Sequence, residues 1–370
     1  VIEFFTLSKY RVLLTASQKT YIISLSSIIY VILNTIIIVI LANLGVNIVI
    51  VKAVAILAIL IRSIILMTYV KRKYKYISYK EEPDYQSMDK RWSALFLQVL
   101  TAIQNGAPVV ISTIFTSLKT VSVYSIYNMV MHGINGVLSI FTSGLSASFG
   151  DVIARKEMVT LQKSYREFEF AYYTLITVIY SVSMVMILPF VRIYTEGVTD
   201  TNYMLPEIAF LIVLNGLLYN IKTPQGMLVI SAGLYKETRV RTLIQALIIV
   251  ILGIILAPIF GLTGILIASC LSNIYRDIDL IFYIPKHVTK IPAKETIKRV
   301  CIMLLNTILI VVPCVILINI NASNYLQWAF YAVGVTLYAI IIVLINAILF
   351  DRVQLSSVLK RIKMMIGVKK

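Results

Sequence analysis

The sequence predicts an all-α polytopic membrane protein with about ten transmembrane helices. Three observations carry that prediction. Mean hydropathy is +0.89 and 59% of the 370 residues are hydrophobic, outside the range of a soluble globular domain. Ten apolar stretches are each long enough to cross roughly 30 Å of hydrocarbon at 1.5 Å per residue. Finally, Lys and Arg crowd into every second gap between those stretches. The apolar runs are continuous rather than alternating, and each is about twice the length of a barrel strand, so helices are favoured over a barrel.

In chain order, the first two spans, 21–43 and 46–70, are Ile-rich and separated only by Leu44 and Gly45. The third, 93–117, is interrupted by Gln98, Gln104, Asn105 and Pro108. The fourth, 121–149, carries Asn128, His132 and Asn135 at spacings of four and three, on one helical face. Its Gly133, Gly136 and Gly144 permit close helix packing. The fifth and sixth, 168–191 and 205–230, follow; in the sixth, Pro224 removes a backbone donor from Asn220-Ile221-Lys222-Thr223-Pro224-Gln225-Gly226 and loosens the helix. The seventh and eighth, 242–258 and 261–284, and the ninth and tenth, 300–320 and 325–349, read as two further hairpins.

The gaps at 71–91, 150–167, 231–241 and 285–299, with the two ends, hold 28 of the 34 Lys and Arg; the other gaps hold Lys119 and Arg192. Basic residues are retained on the cytoplasmic side during insertion, which places both ends and the charged gaps on the cytoplasmic side of a cell membrane. That rule accounts for the net charge of +17, so nucleic acid is not an expected partner. Cys270, Cys301 and Cys314 have no paired spacing and offer neither a disulfide framework nor a zinc site. No cleavable signal peptide is evident, and the chain begins with Val1 rather than Met, which leaves a truncated record or an alternative start codon open.

The polar segment 71–92, with seven basic residues and Pro83, reads as a cytoplasmic linker between two lobes. An internal repeat supports that boundary. Residues 16–62 and 232–276 each run from an Ala and a Lys through two apolar spans to an Arg, with Leu41-Ala42-Asn43-Leu44-Gly45 answering Leu256-Ala257-Pro258-Ile259-Phe260-Gly261. Both copies leave the inside and return, as parallel repeats do; chance similarity between two Ile-rich hairpins is the alternative. The basic tail 350–370 places Leu355, Val358, Leu359, Ile362, Met365 and Ile366 on one face, as an interfacial helix would, or as a positive stop after the last span.

Four cations fall within the spans: Lys52, Arg62, Lys222 and Arg276. Charge at mid-bilayer costs about 2.5–3.5 kcal/mol on insertion scales, so each invites an explanation. Arg62, Lys222 and Arg276 all lie about 12 Å below the inner surface, counted along the helix axis. Three cations at one depth suit a cavity that binds an anion such as a phosphate. Snorkelling is the competing reading, and for Arg276 so is an ion pair with Asp277 or Asp279 beside it. Lys52, near the outer surface, reads as structural. His132, with Asn128, is a candidate carrier of a coupling ion; a helix–helix hydrogen bond is the alternative. Few carboxylates are expected inside the membrane, Glu207 being near an outer end. There is no Ser/His/Asp set, no metal cluster and no Walker-type loop, so neither an enzyme nor an ATP-driven pump is expected and no cofactor is implied.

Leu14-Thr15-Ala16-Ser17-Gln18-Lys19-Thr20-Tyr21, the run Gly144–Ala154 (GLSASFGDVIA), Tyr194–Asp200 (YTEGVTD), and Pro224-Gln225-Gly226 followed by Ala232–Thr238 (AGLYKET) occur in an order and spacing that resembles a known family. The chain resembles the polysaccharide flippases of the multidrug/oligosaccharidyl-lipid/polysaccharide exporter superfamily. The resemblance implies two six-helix lobes facing a central cavity, with an extra C-terminal pair. It assigns 1–70 to the end of the first lobe, 93–284 to the second and 285–349 to the extra pair, so the first lobe lacks about four helices. It implies transport of a lipid-linked oligosaccharide, typically on undecaprenyl pyrophosphate, by alternating access, with membrane lipids, a polysaccharide polymerase and glycosyltransferases as partners. Two alternatives stay open: a multidrug/cation antiporter of the same superfamily, which favours acidic cavity residues, and a membrane-embedded polysaccharide polymerase, which needs a large external loop.

Overall fold

The computed structural model describes residues 2–75, 91–142, 144–317 and 320–365. Linker residues 76–90, including Pro83, and the tail beyond Met365 lie outside the described residues, as do the side chains of Ile362 and Met365. The described residues are helical with no strand among them. The protein is a multi-pass, all-α membrane protein.

Among the described residues thirteen α-helices follow one another: α1 (Ile2–Ala16), α2 (Thr20–Asn43), α3 (Ile48–Lys73), α4 (Arg91–Phe115), α5 (Leu118–Thr142), α6 (Leu145–Ala154), α7 (Met158–Tyr194), α8 (Pro206–Ile221), α9 (Thr223–Ser231), α10 (Tyr235–Ile284), α11 (Ala293–Leu317), α12 (Tyr325–Phe350) and α13 (Arg352–Met365). Among the described residues eight helical runs are long and apolar enough to cross a membrane, against ten expected. The difference has two causes. The seventh and eighth spans form one run, α10, which reverses at Gly261 without losing its helical pattern. The sixth span is cut at Lys222 into α8 and α9, neither of which is long enough alone.

Both interruptions follow from single residues. Gly261 has φ 57° and ψ −134°, a region that a side chain disfavours. Just beyond it, a Cβ on Gly264 would come within 2.5 Å of the Leu256 carbonyl oxygen, so the two arms of the hairpin meet backbone to backbone. At the other break, Pro224 has no N–H to give the Asn220 carbonyl, and its ring crowds that oxygen. The carbonyl turns to the Lys222 N–H instead, closing α8, and Gly226 N–H bonds Lys222 O at 2.8 Å to open α9.

Other boundaries also move. α7 begins at Met158, ten residues before the apolar run, and spans about 55 Å. Its first turns carry Lys163, Arg166 and Glu167, and no Gly or Pro stops them before Pro189. The expected fourth span, 121–149, breaks between α5 and α6, with Gly144 at φ 82°.

The chain divides into two units. The first comprises residues 1–88 and 142–151. There, α1 packs on α3 through Leu7, Tyr10, Leu14, Leu66, Val70 and Tyr74, with Ile22 and Ile23 of α2 against them. The second comprises 89–141 and 152–370. Its core joins α5, α7 and α8 around Tyr127, Ile176, Tyr180 and Leu217. α4 lies along α10 through Ala107, Ile111, Ile249 and Ile265, where Gly253 leaves room for the Ile111 side chain. α11 and α12 pack on α7, with Trp328 Nε1 donating to Met186 O at 3.0 Å. Lipid is as apolar as Leu, so such contacts rest on close fit and interhelical hydrogen bonds rather than on escape from water.

Gly264→Ala is expected to destabilise the α10 hairpin by roughly 1–3 kcal/mol through overpacking. Gly106→Ala, in an open helical position, leaves stability unchanged or raises it by up to about 1 kcal/mol. Thermal unfolding of both variants in one detergent checks this; equal losses would contradict the close approach.

Candidate functional site

Three polar clusters lie inside the second unit, all on α8, α9 and α10 or against them. The first gathers at the last turn of α8. Asn220 accepts from Tyr172 Oη at 2.7 Å and donates through its amide to Tyr180 Oη at 2.7 Å and Asn135 Oδ1 at 3.0 Å. It thereby ties α5, α7 and α8 together. Gly216 makes this possible, since a Cβ there would lie 2.7 Å from Tyr180 Cε1.

The second cluster centres on Glu169 of α7, which is 1% exposed. Its Oε1 accepts from Tyr165 Oη (2.9 Å), Thr296 Oγ1 (2.8 Å) and Gln225 Nε2 (3.2 Å), and its Oε2 pairs with Arg299. Gln225 Nε2 also reaches Tyr173 Oη at 2.9 Å, and Tyr173 donates to Ile221 O. Alongside, Arg166 grips both oxygens of Glu295 at 2.8 and 2.9 Å. A buried ion needs both a counter-ion and hydrogen bonds for its remaining lone pairs. Glu169 has both, and it binds α7, α9 and α11 to one another. Its neighbour is a cleft of about 360 Å³ lined by Tyr173, Thr177, Arg299, Asn306 and Asp351 among others.

The third cluster lies at the α8–α9 break. Lys222 is half-buried, sits over the Tyr219 ring with Nζ 4.8 Å from its centroid, and donates to Asn273 Oδ1. Asn273 Nδ2 donates to Asn215 at 2.9 Å, and Gln245 Nε2 approaches Asn273 at 3.4 Å. One turn on, Arg276 is 7% exposed and pairs with Asp279 at 2.7 Å; Asp279 also takes Arg241 from the other arm of α10. Asp277 points elsewhere, 6% exposed, with neither carboxylate oxygen hydrogen-bonded among the described residues.

The sequence-derived candidates therefore separate. Lys222 and Arg276 share this cluster, but the Arg276 charge is balanced by Asp279. Arg62 belongs to the first unit, where its guanidinium donates to Ser27 Oγ at 2.9 Å and lies near the Tyr30 ring. Lys52 is exposed on α3. His132 is exposed and Asn128 half-buried on α5, and among the described residues neither has a hydrogen-bond partner; Asn135, on the same face, is the one that joins a cluster.

Glu169 and Asp277 are buried, and the Asp279 side chain is 7% exposed. Glu169 and Arg299 went unnoticed because both stand beside charged gaps, where a solvated role is the default. One signal was present. Tyr165, Glu169 and Tyr173 recur every four residues, a polar stripe along an otherwise apolar helix.

No family model, curated protein or solved structure matches the chain.

Removing one partner of the Glu169–Arg299 pair is expected to cost about 3–5 kcal/mol, because the other charge stays buried. Glu169→Gln with Arg299→Met costs less than the sum of the single changes. Chemical unfolding of the four species gives the coupling, and strict additivity would refute the pairing.

Proposed function

We propose that this chain carries a lipid-linked oligosaccharide, on undecaprenyl pyrophosphate, across a cell membrane for surface-polysaccharide synthesis. The observation that carries this reading is Lys222. It is a cation at a helix break, deep in an apolar span, held by neutral partners and not consumed by an ion pair. Irregular backbone at such depth is tolerated where it faces protein or a water-filled path rather than lipid. A pyrophosphate is the kind of group such a cation serves, since burial strengthens its attraction for an anion.

The segments that carry the family resemblance give further support, because each falls at a helix junction. Leu14–Tyr21 forms the α1–α2 turn, with Gln18 at φ 56°. Gly144–Ala154 builds α6 after its break, and Tyr194–Asp200 leaves α7 through Gly197 at φ 81°. Pro224–Thr238 holds the start of α9 and the turn at Gly233. Junctions that bend are what an alternating-access transporter needs from its helices. Loading from the cytoplasmic side follows from the basic gaps, and a polymerase and glycosyltransferases would work on the same lipid.

One observation favours the multidrug/cation antiporter instead: two buried carboxylates, Glu169 and Asp277. Glu169 is already neutralised by Arg299, so it offers no free anionic site for a cationic drug.

Lys222→Gln, at matched membrane abundance, is expected to lower polysaccharide export about tenfold or more, the loss of a desolvated charge contact. Arg276→Gln acts first on abundance, because it leaves Asp279 with Arg241 as its one remaining arginine. Export undiminished in Lys222→Gln would sink the reading, and lost drug efflux with normal export would favour the antiporter.

A further inference from the structure

Asp277 is the buried charge that the sites above leave unexplained. Glu169, equally buried, collects three hydrogen bonds and an arginine; Asp277 collects no hydrogen bond among the described residues. A carboxylate ion withdrawn from water without donors is strongly disfavoured. It has two remedies: to bind a proton, or to draw a cation onto itself.

The groups around it narrow the choice. Asp277 stands four residues, about one helical turn, after Asn273 on α10, and Asn273 is the residue to which Lys222 of the α8–α9 break donates. Arg276, next in the chain, is committed to Asp279, as is Arg241 from the other arm of α10. Among these cations Lys222 alone is not given to a carboxylate. It rests on the neutral Asn273 amide, which Asn215 of α8 and Gln245 of the other arm of α10 hold. The depths agree as well: Lys222 lies sixteen residues after Pro206 and Asp277 sixteen after Gly261, each about 24 Å along its helix from the same end.

We propose that Asp277 is a proton-binding site, and that its protonation is what leaves Lys222 free to take a phosphate-type anion. With Asp277 neutral, Lys222 stays on Asn273 and its charge is available. When Asp277 ionises, Lys222 moves onto it, the two charges cancel and the anion is not held. The bookkeeping is one proton: an O–H bond forms on the carboxylate, the proton comes from water, and the ammonium keeps all of its own. Linkage is reciprocal, so an anion that engages Lys222 promotes protonation of Asp277 and brings a proton with it. This places a coupling proton on Asp277 rather than on exposed His132. It rests on the anion-binding reading of Lys222.

The test uses the full chain in nanodiscs of neutral phospholipid, with a polyprenyl pyrophosphate and inorganic pyrophosphate as separate probes. Binding is measured across pH, and proton uptake is read with a pH dye in weak buffer. The wild type is expected to take up close to one proton per anion bound, with affinity falling as pH rises. Asp277→Asn takes up none and loses that pH dependence, and Lys222→Gln weakens binding about tenfold or more. Binding confined to the polyprenyl probe assigns a lipid headgroup as the source; equal binding of both assigns the pyrophosphate alone.

Binding without uptake in the wild type, or uptake retained in Asp277→Asn, overturns the proton site and leaves the anion reading standing. No binding of either probe overturns the anion reading. The proton site is then decided by infrared difference spectra against pH. A protonated-carboxyl C=O band that disappears in Asp277→Asn, or shifts in Asp277→Glu if the first variant does not fold, supports it; no such band refutes it.

Discussion

Hydrocarbon supplies no hydrogen bonds, and nearly every feature of this chain answers to that constraint. It keeps the backbone helical along the spans. It sends polar side chains toward one another, so that Asn220, Glu169 and Asn273 each become a meeting point for several helices. It also sets a sharp difference between charges that are satisfied and charges that are not. Glu169 with Arg299 is a closed arrangement, and its consequence is rigidity between α7, α9 and α11. Lys222, on a neutral amide, and Asp277, with no hydrogen bond among the described residues, are not closed in that way.

The helix break at Lys222 links sequence to that behaviour. Pro224 denies a hydrogen bond to the Asn220 carbonyl, the helix stops, and a lysine is left at its end rather than along its side. The same turn holds Asn220 against Tyr172 and Tyr180, so the break is supported from α7. A change in what Lys222 contacts is thus felt where α8 meets α9, and Gln225 of α9 reports onward to Glu169. This chain of contacts is a physical connection between the break and the Glu169 cluster.

The apolar spans were legible in the sequence because bilayer thickness writes itself directly into composition. The local weakness at Pro224 and the turn near Gly261 were legible too, one as a missing donor and the other as half of a repeat. The break that splits α8 from α9 and the merging of two spans in α10 were not, since both depend on where the chain can reverse or restart without losing its helical pattern. The Glu169–Arg299 pair was illegible for another reason: its partners are 130 residues apart, and each stands beside a basic gap where exposure is the ordinary outcome. Asp277 was read only as a partner for its neighbour Arg276, because periodicity does not say which of two adjacent carboxylates, 277 or 279, turns toward an arginine.

The central claim, movement of a polyprenyl-linked glycan between leaflets, is tested most directly in cells that lack this protein. Their lipid-linked intermediates are extracted, the glycans identified by mass spectrometry, and the leaflet assigned by accessibility to an added glycan-cleaving enzyme. The account predicts completed repeat units confined to the cytoplasmic leaflet. A pool of normal composition in its normal leaflet would contradict it.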